Sequence, residues 1–165
     1  DVPELLEKLE KFSQDIKYIV ESKPHRANFI YDISEAGKVK ESSIHEALIA
    51  CAAEDLGIIN GKLSRAKDAA YDFLDELSNK WDVKNALSKI PDNPKYKFKP
   101  SMFASDIIAE LNLGENVLLD VSNLTKEDLS ILGEIFKSKV SDIKTECCIV
   151  FVDRNKRLNW KLFGE

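Results

Sequence analysis

Two histidines, each followed by a charged residue, are the side chains of this sequence best suited to proton transfer near neutral pH. The pairs are His25-Arg26 and His45-Glu46. In a metal-independent ribonuclease, a base takes the proton of the 2′-hydroxyl, an acid protonates the leaving 5′-oxygen, and a cation stabilises the phosphorane-like charge. We therefore predict these four residues as a catalytic set, with Arg26 as the cation.

Each histidine also has a purely structural interpretation. Ser43 and Glu46 form an S-x-x-E pattern, which is typical of the capping box at a helix start, and His45 would then lie on the exposed first turn. His25 follows Pro24 in a segment that we interpret as a loop, and loops carry functional residues disproportionately. The sequence leaves both interpretations open.

Two basic segments with interleaved aromatic residues could bind RNA. In KYKFKP, an extended chain places the lysines on one face and the rings on the other, so that cations neutralise phosphates while rings stack on bases. A charged edge strand that buries its rings has the same pattern. A second basic cluster follows at the last predicted hairpin. The predicted RNA-binding residues are Lys95, Tyr96, Lys97, Lys99, Arg154, Lys156 and Arg157.

Two aspartates end the apolar segments that we predict as parallel strands. Asp120 and Asp153 would emerge at the carboxyl edge of the sheet, where open α/β sheets bind ligands, and together could hold magnesium. Aspartates at strand ends also commonly cap the next turn. The chain has no G-x-x-x-x-G-K-[ST], G-x-G-x-x-G or G-x-S-x-G motif, so nothing indicates a nucleotide cofactor or a serine nucleophile. For the histidine mechanism we predict no cofactor and no metal.

The composition indicates one folded domain with an acidic balance. A length of 165 residues suffices for one hydrophobic core, and a net charge of -5 excludes a chain coated with positive charge for indiscriminate phosphate binding. No apolar run approaches the roughly 18 residues that span a bilayer, and the charged N-terminus is unlike a signal peptide. A first residue other than methionine suggests a fragment or a removed tag. The three cysteines are expected to be reduced thiols.

Apolar residues at three- and four-residue steps predict a helix-rich first part over residues 1–114. Helices are expected over residues 3–22, 43–56, 62–81 and 101–113, with a shorter helix and a proline-rich connector over 81–100. Between the first two helices, aromatic and β-branched residues predict a short strand or hairpin. The helix at 62–81 would carry an acidic, solvated face, formed by Asp68, Asp72, Asp75 and Glu76.

Residues 115–165 are predicted to form a strand-helix-strand-strand unit. Strands are expected at 116–121 and 147–153, with a helix between them that Thr125 and Asp128 begin. A right-handed crossover would make these strands parallel, and a final hairpin adds an antiparallel edge. The sequence therefore predicts an α+β fold in a single domain, with a helix-rich N-terminal two thirds and a small C-terminal β-α-β-β sheet unit.

The segment ENVLLDVSNLTKEDLSILGEIFKS, followed by CCIVFVD, resembles the closing part of many bacterial polymorphic toxin domains, including the C-termini of contact-dependent growth inhibition proteins. The shared pattern is an apolar strand, an Asp-x-x-Asn-Leu-Thr-like turn, an amphipathic helix and a last apolar strand. The resemblance covers the last third of the chain. It implies a domain secreted within a larger protein, acting on tRNA or another nucleic acid in the cytoplasm of a neighbouring bacterium. It also implies a cognate immunity protein, and some relatives recruit a translation factor.

Two functions from different classes follow from these patterns. The first is a toxin nuclease that cleaves RNA, with tRNA as the expected substrate, by metal-independent acid-base chemistry. The second is a non-catalytic acidic protein-binding module, such as an immunity protein or an antitoxin, that presents the acidic helix face to a basic partner. A magnesium nuclease built on Asp120 and Asp153 is a third alternative.

Overall fold

The structure, a computed structural model, describes residues 2–33, 36–59, 61–154 and 158–163. It divides into two compact units, Asp1–Ser78 (the N-terminal unit) and Asn79–Glu165 (the C-terminal unit). The predicted boundary at residue 114 falls inside the second unit, because a strand and a helix before it share one core with the C-terminal strands. A single domain over the whole chain stays a prediction.

The N-terminal unit is built from helices and short antiparallel strand pairs. Its described elements are α1 (Val2–Ser22), a 3-10 helix (Pro24–Ile30), β1 (Tyr31–Asp32), β2 (Lys38–Val39), α2 (Glu41–Asp55), β3 (Ser64–Arg65) and β4 (Phe73–Leu74). β1 pairs with β2, and β3 pairs with β4. Helix α1 ends before Lys23, because the residue that precedes a proline favours extended backbone. The predicted first helix and the hairpin after it are confirmed.

Helix α2 begins earlier than predicted, at Glu41. Its N-cap residue is Lys40, whose backbone N–H donates to Ser43 Oγ at 2.8 Å, while the Ser43 hydroxyl donates to the Lys40 carbonyl at 2.9 Å. Ser43 is thus a buried residue of the first turn and not the N-cap. The predicted capping box of Ser43 with Glu46 is wrong, because the hydroxyl satisfies the free amide from inside the helix and Glu46 is not needed.

Two fully buried phenylalanines lie at the centre of the N-terminal unit. The rings of Phe29 and Phe73 meet edge to face, with their centroids 5.1 Å apart. Ile19 of α1 and Ala47 of α2 are also fully buried. These contacts hold the 3-10 helix against α1, α2 and β3. They therefore position the segment that contains the first histidine.

The helix predicted over residues 62–81 is wrong, since the segment forms β3, β4, turns and the first two residues of a third strand. Asp68 Oδ1 accepts the backbone N–H of Ala70 at 2.9 Å, and Asp75 Oδ1 accepts that of Leu77 at 3.0 Å. Such side-chain bonds stabilise turns in competition with a helix. The acidic helix face that the second function required therefore does not exist in helical form.

In the C-terminal unit, four strands lie side by side in the order β5, β6, β7, β8. The described elements are β5 (Lys80–Leu87), α3 (Pro100–Asn112), β6 (Asn116–Asn123), α4 (Lys126–Ser138), a 3-10 helix (Val140–Asp142), β7 (Cys148–Asp153) and β8 (Leu158–Phe163). β5 with β6 and β6 with β7 are parallel, and β7 with β8 is antiparallel. The predicted parallel strands and antiparallel edge are confirmed.

The shorter helix predicted after residue 81 is wrong, because this segment is strand β5. Trp81, Val83 and Ala86 are buried, and Val83 is in register with Leu118 of β6. Tryptophan and valine favour strands, and their burial beside a parallel neighbour outweighs the local periodicity.

The core of the C-terminal unit lies between these strands and helices α3 and α4. Its members include Ala86, Ala104, Ile107, Leu111, Val117, Leu119, Leu132, Phe136, Ile149 and Phe151. Thr125 Oγ1 accepts the N–H of Asp128 at 3.1 Å and caps α4, as predicted. The α+β fold class is confirmed. None of the described helices is both long enough and apolar enough to cross a membrane.

Candidate active site

An open cleft in the N-terminal unit contains His25 in its wall. The cleft has a volume of about 830 Å³, and the 3-10 helix and the segment from β3 to β4 line it. Two cations, Arg65 and Lys67, lie in this lining, together with the phenol of Tyr71 and one carboxylate, Asp68. The cleft thus combines a histidine with positive charge, a combination that suits acid-base chemistry on a phosphodiester.

Glu54 of α2 orients the His25 ring. Nε2 of His25 lies 2.7 Å from Oε2 and 2.9 Å from Oε1 of Glu54. The Glu54 side chain is 4% exposed and also accepts the backbone N–H of Leu63 at 2.7 Å. On another side, the His25 ring meets Phe29 edge to face, with centroids 5.6 Å apart. His25 is therefore held in one orientation at the cleft wall.

This carboxylate determines which nitrogen of a neutral His25 carries the proton. A carboxylate accepts hydrogen bonds, so we assign the proton to Nε2, which donates to Glu54. Nδ1 then has the lone pair that a general base uses. The arrangement follows the logic of catalytic triads, in which an acidic residue fixes the tautomer and orientation of the histidine.

Arg26 lies behind this pair, buried. Its side chain is 1% exposed, with Nε donating to Glu54 at 2.7 Å and Nη2 to Asp55 at 2.7 Å. Burial opposes the charge of Arg26, but the hydrogen bonds to Asp55 and Glu54 outweigh it and raise its pKa. Burial alone would raise the pKa of Asp55, whereas its contact with Arg26 lowers it. The predicted direct contact of Arg26 with a phosphate does not fit this geometry, and Arg26 instead fixes Glu54.

The fold does not bring His45 to the cleft. His45 lies nine residues before Glu54 on α2, about 13 Å along the axis at roughly 1.5 Å per residue. The predicted acid-base pair of His25 with His45 therefore disagrees with the structure. Glu46 instead accepts a hydrogen bond from Arg65 Nη2 at 2.6 Å, and Arg65 Nε donates to a β1 carbonyl at 2.7 Å. Glu46 thus positions a cation of the cleft.

Glu54, Arg65 and Lys67 are site residues that the sequence did not predict. Glu54 is 29 residues away from His25, and no local motif joins them. The two cations lie in the segment that was predicted as a helix. One signal was present in the chain, because the dipeptide HR at 25–26 has an opposite-charge counterpart in the dipeptide ED at 54–55.

The KYKFKP segment lines a second cleft, which belongs to the C-terminal unit and has a volume of about 500 Å³. Three of the predicted RNA-binding residues are exposed there, namely Lys95, Lys97 and Lys99. The hydroxyl of Tyr96 donates to the carbonyl of Leu87 at 2.9 Å, and the rings of Phe98 and Phe103 lie 5.5 Å apart. The predicted alternation of lysines and rings is present, but Tyr96 and Phe98 both contact other residues of the C-terminal unit. The exposed lysines are the side chains that an RNA backbone would contact.

Arg154, the first residue of the second predicted basic cluster, lies beside a buried carboxylate. Asp120 is fully buried, its Oδ1 accepts the N–H of Ser122 at 2.9 Å, and Arg154 Nε lies 3.9 Å from its Oδ2. An arginine thus supplies positive charge where the magnesium alternative placed a metal ion. Lys156 and Arg157 lie outside the described residues.

The N-terminal cleft is therefore the described site whose geometry best supports proton transfer. It offers His25 as a base, Glu54 as the group that orients it, and Arg65 and Lys67 as cations. Comparison of the chain with protein-family models, with curated proteins and with solved structures finds no match.

Proposed function

We propose that this chain is a nuclease domain that cleaves RNA, with tRNA as the first substrate to test, by acid-base chemistry at His25. The observation that supports the proposal is the hydrogen-bonded pair of His25 and Glu54 in the wall of a cleft that also contains Arg65 and Lys67. A histidine fixed in one tautomer beside two cations is suited to a reaction that moves a proton and builds negative charge on phosphorus.

In this mechanism, Nδ1 of His25 takes the proton of a ribose 2′-hydroxyl. The 2′-oxygen then bonds to the adjacent phosphorus, the bond from phosphorus to the 5′-oxygen breaks, and a 2′,3′-cyclic phosphate forms. Water in the open cleft supplies the proton of the leaving 5′-oxygen. Lys67, which is exposed, stabilises the developing charge, and Arg65 stays paired with Glu46 as a fixed positive neighbour.

The resemblance of the C-terminal segment to polymorphic toxin domains supports the biological part of the proposal. The domain would act in the cytoplasm of a target bacterium, and a cognate immunity protein would neutralise it. A net charge of -5 weakens unaided binding to a polyanion. A recruited translation factor would contribute the affinity for tRNA that the acidic chain lacks by itself.

The test is incubation of the purified chain with total tRNA in the presence of EDTA, followed by a denaturing gel. We expect fragments that end in a 2′,3′-cyclic phosphate. His25→Ala should slow cleavage by about 10²–10⁴-fold, which is the usual contribution of one acid or base. Intact tRNA with the unmodified chain would refute the proposal.

The matched control is His45→Ala, which changes the other histidine of the chain, at a position that does not line the cleft. It should leave cleavage unchanged. His25→Gln keeps a polar side chain of similar size and guards against loss of folding, which circular dichroism reports. Equal cleavage by a folded His25 variant and the unmodified chain would contradict the role of His25.

A second candidate function is the acidic protein-binding module, which the excess of 29 acidic over 24 basic residues favours. Although the predicted helix is absent, Asp68 and Glu76 are exposed. If this function is correct, Asp68→Lys with Glu76→Lys should weaken binding to a basic partner and reduce its salt dependence. Unchanged affinity and salt dependence would exclude this surface.

A further inference from the structure

Three carboxylates of the C-terminal unit converge on one place, and two of them belong to buried residues. Asp82 lies on β5, Glu110 lies in the last turn of α3, and Glu115 directly precedes β6. One carboxylate oxygen from each lies within 4.8 Å of the other two. Asp82 is 8% exposed and Glu115 is 6% exposed, although acidic side chains are rarely buried without a partner.

Glu115 lacks a hydrogen bond that its burial demands. Its Oε2 atom is buried, and no described residue donates a hydrogen bond to it. An unpaired polar atom in the interior destabilises the fold, and a charged one does so more strongly. Glu115 has a hydrogen bond with Glu110, another carboxylate of the cluster. A buried acceptor oxygen without a donor, beside two further carboxylates, indicates that the site lacks positive charge.

The nearby cations balance only part of the negative charge. Lys84 Nζ lies 2.9 Å from Asp82 and 3.7 Å from Glu110, so three ionised carboxylates and this ammonium leave two negative charges. Lys80, whose positive charge acts on Glu115, is exposed to solvent. Glu110 also lies at the C-terminal end of α3, where the helix dipole adds negative potential. A divalent cation would neutralise the remaining charge.

The donor set determines which cations fit. The three side chains offer only carboxylate oxygens, which suit hard cations, whereas zinc and copper sites usually contain histidine or cysteine. Three protein ligands leave coordination positions for water, as is usual for Mg²⁺. The Lys84 side chain is 37% exposed, so its ammonium can turn toward solvent as a metal ion enters.

We propose that Asp82, Glu110 and Glu115 bind one hard divalent cation of the Mg²⁺, Mn²⁺ or Ca²⁺ class. The ion ties β5, the end of α3 and the start of β6 together, and it satisfies the unpaired oxygen of Glu115. This site is separate from the histidine chemistry, for which no metal was predicted. One of its three ligands, Asp82, lies on β5, a segment that the sequence pattern predicted to be a helix.

Titration of the metal-free chain with Mn²⁺, followed by the electron paramagnetic resonance signal of the free ion, tests the proposal. We expect one saturable Mn²⁺ per chain, with Mg²⁺ and Ca²⁺ as competitors that rank the affinities. Glu115→Gln should weaken binding by about tenfold or more, because it removes a charged ligand. Lys84→Gln should tighten binding, because it removes the ammonium that competes for the same oxygens.

Glu134→Gln is the matched control, because the Glu134 side chain is 73% exposed and lies on α4. It should bind Mn²⁺ as the unmodified chain does. If Glu115→Gln does not fold, Asp82→Asn must show the same loss of affinity. The proposal is overturned if the unmodified chain shows no saturable binding at millimolar Mn²⁺, or if a folded ligand variant binds as tightly as the unmodified chain. A proton shared between Glu110 and Glu115 would then occupy the site instead.

Discussion

Replacement of Glu115 by glutamine should stabilise the metal-free protein at alkaline pH and leave its stability at acidic pH unchanged. In the folded chain, burial and the neighbouring carboxylates Glu110 and Asp82 favour the neutral form of Glu115, while Lys80 acts in the opposite direction. Lys84 bridges Asp82 and Glu110 and lowers the negative potential around them. Glutamine has the shape of the neutral acid and cannot ionise.

The magnitude follows from the pKa of Glu115, which is about 7 in the folded chain against an ordinary value of 4.5. Between these two pH values the folded state holds a proton that the unfolded state has released. The free energy of unfolding therefore falls as the pH rises through this window. At roughly 1.4 kcal/mol for each pH unit, the loss is about 3 kcal/mol. The neutral form of Glu115 contributes its full stability below pH 4.5, and this contribution is lost above pH 7.

Urea unfolding in EDTA, followed by tryptophan fluorescence, measures this effect. Trp81 is buried on β5 next to Asp82, so it reports on the strand that carries the cluster. The Glu115→Gln variant and the unmodified chain should be equally stable near pH 4.5, and the variant should be more stable by about 3 kcal/mol near pH 8. Glu134→Gln should show no such difference. Equal stability at pH 8, or a less stable Glu115→Gln variant, would refute the reasoning.

Two further predictions concern the other charged clusters. Arg26→Met should lower the free energy of unfolding by about 3–5 kcal/mol in urea titrations, because it removes the buried cation that pairs with the Glu54 and Asp55 carboxylates. Lys137→Met, which removes an exposed partner of Glu134 at 3.4 Å, should change the free energy of unfolding little. Equal losses of stability in the two variants would contradict the structural role of the buried Arg26. Replacing Lys95, Lys97 and Lys99 by alanine should lower the salt slope of single-stranded RNA binding by about 2 in filter assays. An unchanged slope would exclude these lysines as phosphate contacts.

The tests of the two proposals do not depend on each other. Cleavage of tRNA is measured in EDTA, so it requires no ion at the carboxylate cluster. Binding of Mn²⁺ is measured without RNA, so it requires no activity of His25. If tRNA stays intact while Mn²⁺ binds, only the nuclease proposal fails, and the opposite pair of results removes only the cation site.

Local signals were sufficient for the C-terminal strand-helix-strand-strand arrangement. The apolar runs at 116–121 and 147–153 have the length of buried strands, although β6 continues past Asp120 to Asn123. Thr125 satisfies a free amide within its own helix turn. Each of these features involves residues close in sequence. Parallel pairing of the two strands then followed from the helix between them.

Residues 62–87 could not be assigned in this way. Their apolar spacing fits a helix, but aspartate side chains stabilise turns there, and β5 is extended because β6 pairs with it. Both causes lie outside the apolar pattern. The cluster around Glu115 was missed for the same reason, since its carboxylates come from three elements and one of them is this strand.

The sequence by itself determined the α+β class, the order of the last four elements, and the identity of His25 as a side chain able to transfer protons. Only the tertiary structure decided that Glu54 orients His25, that Arg26 is buried behind them, and that His45 lies elsewhere on α2. The physical reason is how far apart in the sequence the interacting residues lie. Periodicity and capping act between residues a few positions apart, whereas burial and ion pairing join residues that only the folded chain brings together.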